Sequence, residues 1–219
     1  MDLDFLRIVP SIPFILNGVW VTLLFVLLSG IVGFIIGTVL SLFKIGRVKV
    51  LKWFADAYTS IFRGTPLILQ LMLIYFATPQ LTGFDIPPFL AGMLAFGSNS
   101  GAYISEIIRA GIQAVDKGQK EAAEALGISY RPMMKDIILP QALKNILPAL
   151  MNEYITLTKE SAIVSTIGFL DIMRRSQIVS ANTYTAFEPL IFAGLIYYVL
   201  VMCLTLLGRQ LERRLRRSE

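Results

Sequence analysis

Glu153 and Glu160 lie seven residues apart within Ile137 to Ile167, a stretch that is otherwise largely apolar. Two helical turns separate them, so both carboxylates fall on one face, with Thr156 between them on the same stripe. Lys159 points about 100° away around the helix. Two acids on one face with no cation beside them would attract a cationic ligand. The alternative is that Lys144, Lys159 or a neighbouring helix pairs them structurally. Asn99 and Ser100 interrupt a second apolar stretch, where an amide or hydroxyl is costly unless it is used. Gly64-Thr65-Pro66 breaks or bends a third, because Pro66 frees a carbonyl near Phe62. Freed backbone at membrane depth is tolerated where it lines a cavity. Arg63, beside that break, either reaches the carboxylate of a substrate or snorkels to the surface. Glu106 and Arg109, spaced i,i+3, read as a structural pair.

Other chemistries are excluded by composition. The chain has no histidine and one cysteine, which argues against zinc, haem and Cys–His catalysis and removes any disulfide within the chain. Cys203, in an apolar helix, reads as a small packing residue. No G-x-x-x-x-G-K-[ST] phosphate cradle occurs, so ATP hydrolysis by that route is absent and the chain reads as a non-enzyme without its own cofactor. The net charge of +5 does not point to nucleic acid, because the basic residues gather in short loops and in the tail Arg209, Arg213, Arg214, Arg216 and Arg217, beside apolar stretches.

The elements that position these groups are membrane-spanning helices. Only 16% of the residues are charged, against about a quarter in soluble domains, and long windows carry no charge at all: Arg7 to Lys44, Arg63 to Asp85, Asp85 to Glu106, Glu188 to Arg209. Each accommodates the roughly 20 residues that cross a bilayer as a helix. The spacing predicts an all-α integral membrane fold in a single domain, residues 1–219, with five transmembrane helices over about 18–43, 53–78, 88–112, 137–167 and 189–209. The segment Lys44–Lys52 carries four Lys/Arg, Arg109–Lys135 five and the C-terminal tail five. The opposite loops carry none between Thr78 and Phe89, and only Arg174 and Arg175 after the fourth span. The positive-inside rule then puts the N-terminus outside and the C-terminus in the cytoplasm. The start, Met1-Asp2-Leu3-Asp4, lacks the basic region and cleavage site of a signal peptide, so the first apolar stretch is expected to remain as a helix. Gly30, Gly33 and Gly37 predict close packing of the first span. No internal repeat is visible, which weighs against an inverted-repeat carrier in one chain.

One loop on the predicted cytoplasmic side, residues 116–136, stands apart. Gln119 to Leu126 is rich in strong helix formers and Gly127 ends that helix. Ser129 to Leu139 begins a second short helix, with Ser129 as N-cap and Pro132 in its first turn. The pair makes a compact knob, with alanines, Leu126, Tyr130 and Met133 expected on its exposed side. It reads equally as an element that inserts into a partner's groove and as an ordinary amphipathic interfacial loop.

Glu121-Ala122-Ala123, then Gly127, then Ile137-Ile138-Leu139-Pro140 resemble the EAA loop of ABC importer permeases at every consensus position and spacing. Arg63-Gly64-Thr65-Pro66-Leu67 with Gln70 is similar to the second-span motif of the polar amino acid group, the histidine, glutamine and arginine uptake systems. Asn99-Ser100-Gly101-Ala102-Tyr103, with Glu106, Arg109 and Gly111-Ile112-Gln113, resembles its third-span motif. Leu157-Thr158-Lys159-Glu160-Ser161 and Ser165-x-Ile167-Gly168 resemble its fourth-span end. One departure is the run Glu160-Ser161-Ala162-Ile163, where that group usually has Asp-Thr-Ser-Leu.

The resemblance implies a type I importer permease in the plasma (inner) membrane of a bacterium, working by alternating access. It implies a separate ATPase chain in two copies, holding ATP and Mg and docking on Glu121, Ala122, Ala123, Leu126, Gly127, Tyr130 and Met133. It implies an extracytoplasmic amino-acid-binding protein and a second permease chain, here expected to be identical. With an amino acid as substrate, Glu153 and Glu160 would take the side-chain cation of arginine, lysine or histidine, with Asn99, Ser100, Gly64, Thr65 and Arg63 around its backbone groups. A glutamine or glutamate importer is the alternative substrate reading. An ion-coupled carrier or channel using Glu153 and Glu160, and a membrane scaffold whose loop recruits a partner, are the readings from other classes.

Overall fold

A computed structural model describes residues 4–216; residues 1–3 and Arg217 of the basic tail lie outside the described residues. A 3-10 turn, Phe5–Ser11, leads into α1, Ile12–Ile45, which has Pro13 in its first turn, where its missing N–H costs nothing. α2 is Lys49–Gly64. It stops because Thr65, preceding Pro66, is pushed into extended backbone at φ −121°, ψ 147°. The chain resumes as α3, Leu67–Met72, passes through a π-helical turn at Leu73–Ala77, and ends as α4, Thr78–Thr82. α5 is Pro88–Gln113, α6 Lys117–Ala125 and α7 Tyr130–Pro132. A π-helical turn at Met133–Ile138 joins α7 to α8, Leu139–Glu160, which tightens into a 3-10 segment, Ser161–Ile167. α9, Ile172–Thr183, and α10, Phe187–Arg216, complete the fold. No strand occurs among the described residues.

The windows 18–43 and 189–209 lie inside α1 and α10, and 88–112 matches α5 to within a residue. The window 53–78 bends at Gly64-Thr65-Pro66, as its proline predicts: Lys49–Gly64 and Leu67–Thr82 meet at 103°. The window 137–167 is helical throughout but changes type, α-helical to Glu160 and 3-10 from Ser161 to Ile167, and α9 fills part of what read as a long loop. Among the described residues two helices, Phe5–Ile45 and Phe187–Arg214, are long and apolar enough to cross a membrane by composition, and the bent pair counts as a third if it is one span. α5 and α8 are not among them, because Asn99, Ser100, Glu106, Lys144 and Glu153 dilute their apolar content. Both pack against other helices, so polar groups are tolerated where a neighbour satisfies them.

The core forms where α1 lies along α5. Phe25 stands edge-on to Phe96 at 5.2 Å and tilts over Phe169 at 5.4 Å. Below them the backbones close up on small residues, as the glycines of the first span predicted. A Cβ on Gly37 would sit 2.7 Å from the Ile104 Cβ and 2.9 Å from the Gly101 carbonyl oxygen, so no side chain fits without separating the helices. Gly37→Leu is therefore expected to destabilise the folded chain by about 1–3 kcal/mol. The check is thermal unfolding of the detergent-solubilised chain beside Gly194→Leu, where nothing lies within 4 Å of the added Cβ. Equal unfolding temperatures would contradict the packing assignment. Cys203 is exposed on α10, so its reading as a packing residue is corrected for the isolated chain.

Candidate functional site

The structure brings Glu153 and Ser100 together and places Asn99 elsewhere. α5 turns Ser100 toward α8, and its hydroxyl donates to the Glu153 carboxylate at 2.9 Å. Approach is close here because α1 presents Gly33 to Ser100 and Gly30 to Tyr154. Glu153 and Glu160 are both half-buried, and Glu153 lies near enough to feel the charge of Glu160. Lys159 is exposed and attracts Glu160 only through space. No ion pair joins either carboxylate to a cation among the described residues. Such a pair of acids in a weakly polar setting holds negative potential that a cation would relieve.

Asn99, one residue away, faces the bend between α2 and α3. The Phe62 carbonyl freed by Pro66 accepts from Asn99 Nδ2 at 2.9 Å and from Gln70 Nε2 at 2.9 Å. Gln70 Nε2 also reaches Thr65 Oγ1 at 2.8 Å, while its Oε1 accepts from Asn99 at 3.0 Å. Thr65 Oγ1 donates back to Ile61 at 2.9 Å. The bend anticipated at Gly64-Thr65-Pro66 is thus an elbow whose loosened carbonyl is closed internally. Asn99 and Gln70 form its clamp together with Thr65, so in this chain their side-chain hydrogen bonds go to the elbow and none goes to Glu153 or Glu160 among the described residues. Gly64 has open space around it. Arg63 is exposed, with its guanidinium 5.3 Å from the centre of the Tyr103 ring. Gln70, although part of a motif, had no assigned task; the signal was an amide in an apolar run, which must find partners when buried. The expected pair of Glu106 and Arg109 is present, with Arg109 Nη2 2.6 Å from Glu106.

The knob is built around buried contacts. Asp116 caps α6 by accepting from the Gly118 N–H at 2.7 Å. Gly127 adopts φ +70°, the left-handed conformation that lets the Ile128 N–H return to the Ala123 carbonyl at 3.0 Å. Ala123 and Met133 are each 2% exposed and pack with Ile138, so their expected place on the outer side is corrected. Leu126, 79% exposed, and Tyr130, 56% exposed, do face outward. Glu121 and Ala122 are exposed beside them. The second short helix is not separate, since α7 runs through the π-helical turn into α8. Ser129 stands at the N-cap position without a side-chain capping bond. A cavity of about 730 Å³ opens between the knob and the ends of α1 and α5, lined by Ile45, Ile112, Glu121, Glu124, Tyr130 and Met134 among others. One continuous helical run therefore joins the exposed face at Tyr130 to Glu153 and Glu160. No cluster of three potential metal ligands occurs among the described residues.

Residues 31–217 match the family model described as binding-protein-dependent transport system inner membrane component. The arginine transport system permease protein ArtQ of Bacillus subtilis is 59% identical over the whole of both chains. A protein of Rickettsia bellii provisionally named glutamine transport system permease protein GlnP is 54% identical over 94% of each chain. Among solved structures, a chain of an amino acid ABC transporter crystallised with histidines superposes with a TM-score of 0.95 at 46% identity, covering 98% of this chain and all of that one.

Proposed function

The chain belongs to the family of binding-protein-dependent transport system inner membrane components, and from that premise we propose that it is the permease subunit of an ATP-driven importer of basic amino acids. The observation that carries the substrate class is the Glu153–Glu160 pair on α8, acidic, half-buried and without an ion-paired cation among the described residues. Arginine, lysine or histidine would place its side-chain cation there, with the Ser100 hydroxyl holding Glu153 in position. Asn99, Gln70 and Thr65 keep the elbow rigid beside the pathway, and Arg63 next to Tyr103 is left to meet the substrate carboxylate.

Hydrolysis of ATP with Mg takes place on a separate ATPase chain, two copies per complex, docked on Glu121, Ala122, Leu126 and Tyr130. Ala123 and Met133 shape that surface from within, and Gly127 turns the chain between its two halves. The helical run from Tyr130 to Glu160 carries its displacement to the acidic pair as a rigid lever. We place the N-terminus outside and the C-terminus in the cytoplasm of a bacterial inner membrane, following the loop charges. An extracytoplasmic binding protein delivers the amino acid to the side opposite the knob. Two copies of this chain, each with its Glu153 face toward a shared axis, complete the passage.

Competition of radiolabelled arginine uptake by lysine, histidine, glutamine and glutamate, in vesicles holding the complete complex, tests the substrate class. Strong competition by lysine and histidine, with little from glutamine and glutamate, is expected. The 54% identity to the Rickettsia bellii relative favours a second reading, glutamine import. Dominant competition by glutamine would establish that reading and remove the first.

A further inference from the structure

Lys44 ends the charge-free run of α1, yet its side chain is only 3% exposed. Burying an ammonium is costly unless all its hydrogens are matched. Here it has three donors and three acceptors on two other helices. Thr59 Oγ1 on α2 accepts at 2.7 Å, Asp56 on the same helix lies at 3.4 Å, and the Glu106 carboxylate on α5 forms a short bond. Thr59 in turn donates to the Ala55 carbonyl at 2.9 Å. The second oxygen of Glu106 holds Arg109, whose Nη1 donates to Gln113 Oε1 at 2.8 Å. Gln113 is the last residue of α5, and Asp116, the cap of α6, follows three positions later. A chain of polar contacts thus runs from Gln113, three residues before the knob, through α5 into α1 and α2, and α2 leads directly into the elbow. The neighbouring space is open: a cavity of about 530 Å³ borders Lys44, Lys52, Glu106 and Gln113, and shares Ile45, Ile112 and Gln113 with the cavity at the knob.

We propose that Lys44 is a positioning residue that ties the knob's displacement to the α2–α3 elbow, making α1, α2 and the end of α5 move as one body during transport. Buried ion pairs add little net stability compared with apolar packing, but they fix one relative arrangement of the groups they join. Apolar contact alone would let α2 slide on α5 into the adjacent cavity; a single ammonium bound to both helices resists that slip. This inference rests on the importer reading above and adds a second route beside the α7–α8 lever.

The test is the number of amino acids taken up per ATP hydrolysed, measured in vesicles with the full complex of permease, ATPase and binding protein. Failure of the unsubstituted complex to couple hydrolysis to uptake would count against the importer reading itself. Given a coupled complex, Lys44→Met is expected to assemble and hydrolyse ATP while its uptake per ATP falls roughly 5- to 150-fold, the usual range for a lost coupling between sites. Glu106→Gln, which keeps the side-chain shape, should show a fall of the same kind, and Lys44→Arg should retain part of the coupling. Unchanged uptake per ATP in Lys44→Met overturns the proposal. So does a fall in uptake matched by an equal fall in hydrolysis, or failure of both Lys44→Met and Glu106→Gln to assemble, since each would assign the hub to folding alone.

Discussion

Glu153→Gln is expected to lower arginine uptake by roughly ten- to a hundredfold, the equivalent of about 1.5–3 kcal/mol for a bond to a charged group. The substitution removes charge and little else, because the amide oxygen still accepts from the Ser100 hydroxyl that now reaches the carboxylate at 2.9 Å. Folding and assembly should therefore survive, and an unfolding profile close to that of the unsubstituted complex checks this. A second readout isolates charge recognition. Citrulline has nearly the shape of arginine without its cation, so the unsubstituted complex should prefer arginine strongly, and the variant should lose most of that preference. Glu160→Gln acts in the same direction because the two carboxylates reinforce one potential. Normal arginine transport in both variants would show that the acidic pair is not the cation site.

Gly127→Pro is expected to abolish coupled transport while leaving the chain inserted in the membrane. Gly127 stands at φ +70° and its N–H closes onto the Glu124 carbonyl at 3.0 Å. Proline is locked near φ −65° and has no N–H, so both features are lost together. Gly127→Ala isolates the backbone contribution, since nothing lies within 4 Å of the added Cβ. It should cost about 1–2 kcal/mol and leave transport reduced, not absent. Ala123→Asp reaches the same end from inside the knob, by placing a charge in the Ala123–Met133–Ile138 contact at a cost of several kcal/mol. The measurement is ATP hydrolysis stimulated by the loaded binding protein, alongside uptake. Stimulated hydrolysis and uptake at unsubstituted levels in Gly127→Pro would remove the knob from the coupling path.

The EAA-like spacing from Glu121 to Pro140 located the knob, because a glycine-closed helix pair is a local feature set by residues close in the chain. Its exterior was not legible. Ala123 and Met133 are apolar, as docking residues often are, but they meet each other across the Gly127 turn and leave Leu126 and Tyr130 outside. The elbow divides in the same way. Pro66 and the freed Phe62 carbonyl follow from the backbone rules at proline, whereas the groups that close that carbonyl, Asn99 and Gln70, come from residues 37 and 8 positions away.

Apolar windows, the charges that bound them and the spacing of Glu153 from Glu160 follow from the chain's own periodicity, so the sequence by itself determined where the apolar helices run and that the two acids share a helix. The partners of each polar group were decided by tertiary structure alone. Ser100 and Asn99 are adjacent in sequence but lie about 100° apart around α5, so one supports the acidic face and the other clamps the elbow. Lys44 likewise reads as an ordinary charge at the end of a span until folding brings Thr59, Asp56 and Glu106 around its ammonium. Side-chain direction is local, but the partner waiting in that direction belongs to another helix, and only packing brings it there.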